Sequence, residues 1–135
     1  ANNTDTVSST GIAVHLVSGD VLTASSDTIA VAANGSDTLY GKSNSITLAS
    51  TDTFVFEPSF GAETVNGFSS FETGATHDTI SLASSEFANF ATVLADAKNS
   101  GSNTIITASN GDALTLTNVS VATLSTLTAD FTFHA

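Results

Sequence analysis

Thr51 to Leu82, TDTFVFEPSFGAETVNGFSSFETGATHDTISL, decides the fold class. Three times an acidic residue and a threonine lead into apolar residues: Asp52-Thr53-Phe54-Val55-Phe56, Glu63-Thr64-Val65 with Phe68 beyond, and Asp78-Thr79-Ile80-Ser81-Leu82. Apolar residues at alternate positions predict short strands with one buried face, and the acid and threonine ahead of each predict a turn.

Working outward toward the N-terminus, the same device recurs. Ala1 to Thr10 is polar and reads as a linker or a frayed first strand. Strand-like runs follow at Ile12–Val17, Val21-Leu22, Ile29-Ala30-Val31, Leu39-Tyr40 and Ile46-Thr47-Leu48. The later runs are introduced by a small residue and then Asp or Asn: Gly19-Asp20, Ser26-Asp27, Ser36-Asp37, Ser43-Asn44 and Thr51-Asp52. Successive intervals of 7, 10, 7 and 8 residues place alternate turns 17, 17 and 15 residues apart. Two short strands and two turns per coil of that length are what a parallel β-roll or small β-helix needs.

In such a solenoid, equivalent turn residues stack at about 4.8 Å, the spacing between strands of any sheet. The register then predicts one column of Asp20, Asp37 and Asp52, and another of Asp27 and Asn44, with Asp78 opening the last strand of the region. Two carboxylates about 5 Å apart repel by on the order of 3 kcal/mol at an effective dielectric near 20. A cation would reverse the sign, and oxygen-only ligands on flexible turns favour Ca²⁺. Against this stands the ordinary use of Asp and Asn in turns, where their side chains bond the local backbone.

Downstream of Leu82 the pattern changes. Ser84-Ser85-Glu86 precedes Phe87, Phe90, Ala91, Leu94 and Ala97, the spacing of an amphipathic helix, with Ser84 or Ser85 as N-cap and Gly101 as its end. Its apolar stripe is expected to cover a sheet. Thr104–Thr107, the turn Asn110-Gly111-Asp112 and Ala113–Thr117 predict a β-hairpin. Phe131 and Phe133 alternate as a last strand or as a sequence that another protein reads. The chain thus reads as mostly all-β in three parts: 1–10 linker or frayed strand, 11–82 roll-like repeats, and 83–135 a cap with one helix and a hairpin.

Composition narrows the function. With 135 residues, 41% of them apolar, there is core enough for one domain. Thirteen acids face two lysines, Lys42 and Lys98, with no arginine, for a formal charge of -11. Nucleic acid and anionic membrane surfaces need the opposite charge. The absence of cysteine excludes disulfides and thiolate metal sites. No apolar run is long enough for a membrane span, and no Sec-type signal opens the chain. With no Met, even at position 1, the sequence is expected to be a processed product or a piece of a larger protein.

From Asp52 onward, these residues resemble the C-terminal region of repeats-in-toxin (RTX) proteins, the haemolysin-type calcium-binding proteins exported by type I secretion. The likeness is carried by Asp52-Thr53-Phe54-Val55-Phe56, Phe60-Gly61, Glu63-Thr64-Val65 with Phe68, and Asp78-Thr79-Ile80-Ser81-Leu82. It continues through Phe87 and Phe90, Gly111-Asp112 with Leu114-Thr115-Leu116, and Leu127–Phe131. The resemblance implies an extracellular, calcium-dependent β-roll, a cap, and an export signal in the last several dozen residues that engages the secretion machinery. The family repeat is Gly-Gly-x-Gly-x-Asp-x-apolar-x; Asn34-Gly35-Ser36-Asp37-Thr38-Leu39-Tyr40-Gly41 keeps the Asp and the apolar residue and lacks most of the glycines.

Catalytic motifs are missing. His15, His77 and His134 have no metal-ligand spacing and read as a strand residue, a turn residue and an exposed terminal residue. No G-x-S-x-G elbow, S-x-x-K or phosphate-binding glycine loop occurs. Glu57, Glu63, Glu72 and Glu86 lack the aromatic sugar platform of a glycosidase. The Thr115/Thr117 pair is too short for an ice-binding array. The expectation is a non-catalytic, calcium-responsive module of an exported bacterial protein, binding Ca²⁺ through Asp20, Asp27, Asp37, Asn44, Asp52 and Asp78. The alternative is a self-associating structural unit of a surface layer, adhesin or extracellular fibre, and an enzyme fragment ranks third.

Overall fold

The structure, a computed structural model, describes residues 4–6, 13–16, 21–31, 38–47, 53–68 and 77–135. The chain is mostly β. Its strands are β1 (Thr4–Thr6), β2 (Ala13–Leu16), β3 (Val21–Ser25), β4 (Thr28–Val31), β5 (Thr38–Lys42), β6 (Ser45–Thr47), β7 (Thr53–Phe56), β8 (Ala62–Asn66) and β9 (Thr79–Ala83). Helix α1 (Phe90–Asp96), β10 (Ala97–Ser100), β11 (Asn103–Thr107), β12 (Ala113–Leu116), the short helix α2 (Val121–Leu124) and β13 (Phe131–His134) follow.

From β1 to β9 consecutive strands alternate between two sheets. One has the order β1-β3-β5-β7-β9-β13 and is parallel throughout. The other has the order β10-β11-β12-β8-β6-β4-β2, parallel from β2 to β12 and antiparallel in the β12-β11-β10 meander. The 17-residue spacing of the turns reappears in the register, which pairs Val21 with Thr38 and Thr28 with Ser45. The 15-residue spacing reappears as Thr38 with Thr53.

Alternation within each strand builds the core. Leu22 and Ala24, Phe54 and Phe56, and Ile80 and Leu82 are buried from the first sheet; Ile29, Ile46, Val65, Leu114 and Leu116 are buried from the second. All belong to one cluster, so the two sheets share a single interior. Outward positions between them carry Thr23, Thr28, Thr47 and Thr64, whose branched side chains suit a strand and whose hydroxyls suit water. Phe131 closes the cluster with edge-on and tilted contacts to Phe68 (6.0 Å) and Phe90 (5.3 Å).

The helix begins later than the serine pair predicts. Phe87 is fully buried and its N–H closes a turn onto Ala83 O, so Ser84–Glu86 turns the chain instead of capping a helix. Asn89 is the N-cap, accepting from Thr92 N at 3.1 Å. At the other end Ala97 already has extended backbone (φ -84, ψ 134) and leads straight into β10. Gly101 therefore does not end the helix; with φ 63 it turns β10 into β11. The expected hairpin is β11–β12, and Phe131 with Phe133 do form a last strand, β13, beside β9. The residues expected as a frayed first strand include β1, which pairs with β3.

Residues of 83–135 complete both sheets that 11–82 begins: β12 extends β8, and β13 extends β9. The edge strand β10 is itself engaged, since Val121 N at the start of α2 donates to Asn99 Oδ1 at 2.9 Å. Core and outer face should respond very differently to truncation. Phe54→Ala is expected to cost about 3–5 kcal/mol by chemical denaturation, against under about 0.5 kcal/mol for the exposed Thr47→Ala.

Candidate functional site

Strand corners hold the polar chemistry of the molecule. Asp27, Asn44 and Glu63 each stand two residues before an inward-facing apolar residue, Ile29, Ile46 and Val65, and so face inward themselves. The register stacks them, because Thr28, Ser45 and Thr64 are successive partners. All three are buried.

The side chains serve the backbone of their own corner or of the preceding one. Asn44 Oδ1 accepts from Asp27 N at 3.0 Å, and Glu63 Oε2 accepts from Asn44 N at 2.8 Å. Asn44 Nδ2 donates to Ala24 O (3.1 Å) and to Glu63 Oε1 (3.3 Å), while Asp27 Oδ2 accepts from Ser25 N (3.2 Å). The main chain runs in step: Ser45 N donates to Asp27 O and Thr64 N to Asn44 O, both at 2.9 Å. Amides that a corner would otherwise bury without a partner are satisfied by the next coil.

Beyond Glu63 the column turns apolar, since its register partner is Leu114. Burial therefore pushes the Glu63 carboxyl up to about 7, against the lowering effect of the bonds from Asn44. Asp27 and Asn44 do share a column, as the spacing predicts. Their oxygens, however, face N–H donors, groups with the same sign of partial charge as a cation. Asp20, Asp37 and Asp52 lie outside the described residues. Asp78 is buried and stands at the start of β9, two residues before Ile80.

A second cluster joins three segments. The carboxylate of Asp112, at the hairpin turn before β12, accepts from Ser59 N (2.7 Å), Phe60 N (3.1 Å) and Gly61 N (3.0 Å) in the corner between β7 and β8. Positive φ at Ser59 (74°) and Gly61 (76°) turns the amides toward it, forming an anion nest. A Cβ on Gly61 would stand 2.7 Å from Ser43 Oγ, so the close approach of two corners also requires glycine. Asn110 Nδ2 bonds both Asp112 Oδ2 (2.9 Å) and Glu86 Oε1.

Two of the histidines, His77 and His134, lie near β13. His77 Nδ1 lies 2.6 Å from Asp130 Oδ1, joining the lead-in of β9 to the lead-in of β13. Burial raises the Asp130 carboxyl and the His77 charge lowers it. His134 is half-buried instead of exposed: Nδ1 is 2.8 Å from Ser81 Oγ, and Nε2 is 3.6 Å from Glu57 Oε2. Serine, imidazole and carboxylate are the groups of acyl-transfer catalysis. Here the last distance exceeds a hydrogen bond, and Ser81 lies mid-strand, paired on both sides.

Among the described residues, no group of three or more His, Asp and Glu side chains is arranged to hold a metal ion. Two features escape sequence reasoning: Glu63 as the third member of the ladder, and the pairing of Glu86 with Asp112. The 17-residue period stretches to 19 between Asn44 and Glu63, and Asp112 reaches a corner 51 to 53 residues away. Compared with known proteins, the chain matches no family model and no curated protein.

The ladder makes two predictions. Because the folded Glu63 value of about 7 lies above its ordinary 4.5, folding takes up a proton between those limits, and stability falls as pH rises through that window. Glu63→Gln should flatten this part of the pH profile of thermal unfolding, removing a loss of roughly 3 kcal/mol. Asn44→Ala leaves the Asp27 amide without an acceptor and is expected to cost about 2–3 kcal/mol in urea titrations.

Proposed function

We propose that this chain is a short parallel β-roll with a helix-bearing cap, acting as a non-catalytic folding module of an exported bacterial protein. One observation carries the reading. From β1 to β9 the strands pass between the two sheets in strict order, and each from β3 on pairs in parallel with the strand two before it. The segment containing α1, β10 and β11 is then inserted before β12 resumes the sequence.

Calcium enters this reading at one column. The residues that follow Asp20, Asp37, Asp52 and Asp78, namely Val21, Thr38, Thr53 and Thr79, are successive register partners. That alignment of described residues supports reading the four acids, whose hard oxygen ligands suit Ca²⁺, as the calcium-binding set. The column of Asp27 and Asn44 is set aside, because its oxygens are already bonded to backbone amides. In calcium-poor cytosol the unscreened acids oppose folding and keep the chain competent for type I export. Outside the cell, an ion that binds only the folded chain stabilises it by mass action.

Melting the full chain by circular dichroism in about 5 mM calcium, and again with chelator, tests this linkage. The midpoint should rise with calcium in the parent and much less in Asp37→Asn; coincident melts in the parent would remove calcium from the proposal. Fusing residues 76–135 to a passenger tests export separately.

A second reading, assembly into a surface layer, adhesin or fibre, has its own observation: β1 and β2, the terminal strands of the two sheets, each have one described strand partner. Growth of particle size with concentration in light scattering would favour it, and a strict monomer would exclude it.

A further inference from the structure

The corner cluster at Asp112 carries an inference separate from the export and calcium reading. Glu86 and Asp112 present carboxylate oxygens to the same two donors. Ser59 N lies 2.7 Å from Asp112 Oδ2 and 3.4 Å from Glu86 Oε1, and Asn110 Nδ2 bonds both. The two carboxyls also lie within hydrogen-bonding range of each other, so they can share one proton. Glu86 Oε2 is shielded from solvent and has no hydrogen-bond partner.

We infer that Glu86 and Asp112 form a single-proton latch that fastens the inserted hairpin to the β7–β8 corner in mild acid and loosens as pH rises. The latch joins three segments distant in sequence: the corner Ser59–Gly61, the turn Ser84–Glu86 that leaves β9, and the turn that enters β12. With one proton, Glu86 is a neutral donor and Asp112 a charged acceptor. With none, two negative charges face each other across the shared amide.

The surroundings decide which carboxyl holds the proton. Asp112 accepts three backbone amides and Asn110 Nδ2, and these bonds hold its carboxyl below the ordinary carboxylate range although burial opposes them. Glu86 is raised, first by burial and then by Asp112 itself. Of the corner, Ser59, Phe60 and Gly61 meet Asp112 and carry no charge, Glu57 in the same corner lies 3.6 Å from His134 Nε2, and the hairpin turn presents Asn110 and Asp112. The ion pairs found among the described residues are His77–Asp130 and His134–Glu57, neither of which includes Glu86 or Asp112, so no cationic side chain among them offsets the second negative charge.

The signs follow from linkage. A raised Glu86 favours the folded state below its folded value and ceases to do so above it. A lowered Asp112 favours it above the ordinary 3.8, and that contribution disappears as pH falls further. The latch is therefore tightest in mild acid, above the range where Asp112 protonates.

The test is amide hydrogen exchange of Ser59, Phe60 and Gly61 in the full chain between about pH 5 and pH 8, corrected for intrinsic rates. Protection should fall several-fold as pH rises in the parent. Glu86→Gln, which fixes the neutral form, should keep high protection across the range, and Glu63→Gln should leave the local fall in place. A side-chain carbon NMR titration gives a second readout, in which Glu86 should titrate above its ordinary 4.5 and return toward it in Asp112→Asn. An ordinary Glu86 titration, or protection that falls equally in Glu86→Gln, would overturn the latch.

Discussion

The described corners at Ser25–Asp27, Ser43-Asn44 and Ser59–Gly61 turn backbone amides away from the strand ladders and toward neighbouring side chains. In a parallel arrangement the neighbouring strand satisfies the strand amides, but the corners fall outside that ladder. Asp27, Asn44 and Glu63 solve the problem from within, each accepting an amide of the local turn or of the coil before it. Asp112 does the same for three amides at once in the corner between β7 and β8. A buried amide left unmet costs about 1–3 kcal/mol, so a handful of such bonds matches the net stability of a domain this size.

The same corners explain how the chain manages with few glycines. Ser26, Ser43 and Ser59 adopt φ of 62°, 60° and 74°, the left-handed region that glycine enters freely and other residues enter at a cost of about 1–2 kcal/mol. Ser26 and Ser43 immediately precede Asp27 and Asn44, so the strained residue is followed each time by a side chain that accepts a backbone amide, from its own turn at Asp27 and from the preceding coil at Asn44. Local strain is offset by a bond from the backbone to the following side chain. This compensation is invisible to a motif that counts glycines.

Periodicity made the strands, the hairpin and the register between Val21 and Thr38 legible, because alternation and turn spacing are local properties of sequence. The start of α1 was not, since Ser84 and Ser85 look like caps until Phe87 is seen to be buried and to need the turn. Nor was the ladder complete: Glu63 falls 19 residues after Asn44 and reads as one more turn acid. Its inward phase follows only from Val65 two residues later. Contacts such as Ser81 with His134 and Gly61 with Asp112 span 53 and 51 residues, and only the packed fold brings them together.

A chain with thirteen acids and two lysines has few side-chain cations with which to neutralise a buried carboxylate. The structure uses backbone amides in their place, and the two outcomes differ by burial and by count. Asp112 receives three amides and an Asn side chain, and its carboxyl is lowered. Glu63 receives one amide and one Asn Nδ2, faces Leu114 on the other side, and is raised to about 7. Whether a buried acid here stays charged or holds a proton is thus set by how deeply it is buried together with how many N–H groups its corner turns toward it. Positive φ at Ser59 and Gly61 is what lets one corner turn three.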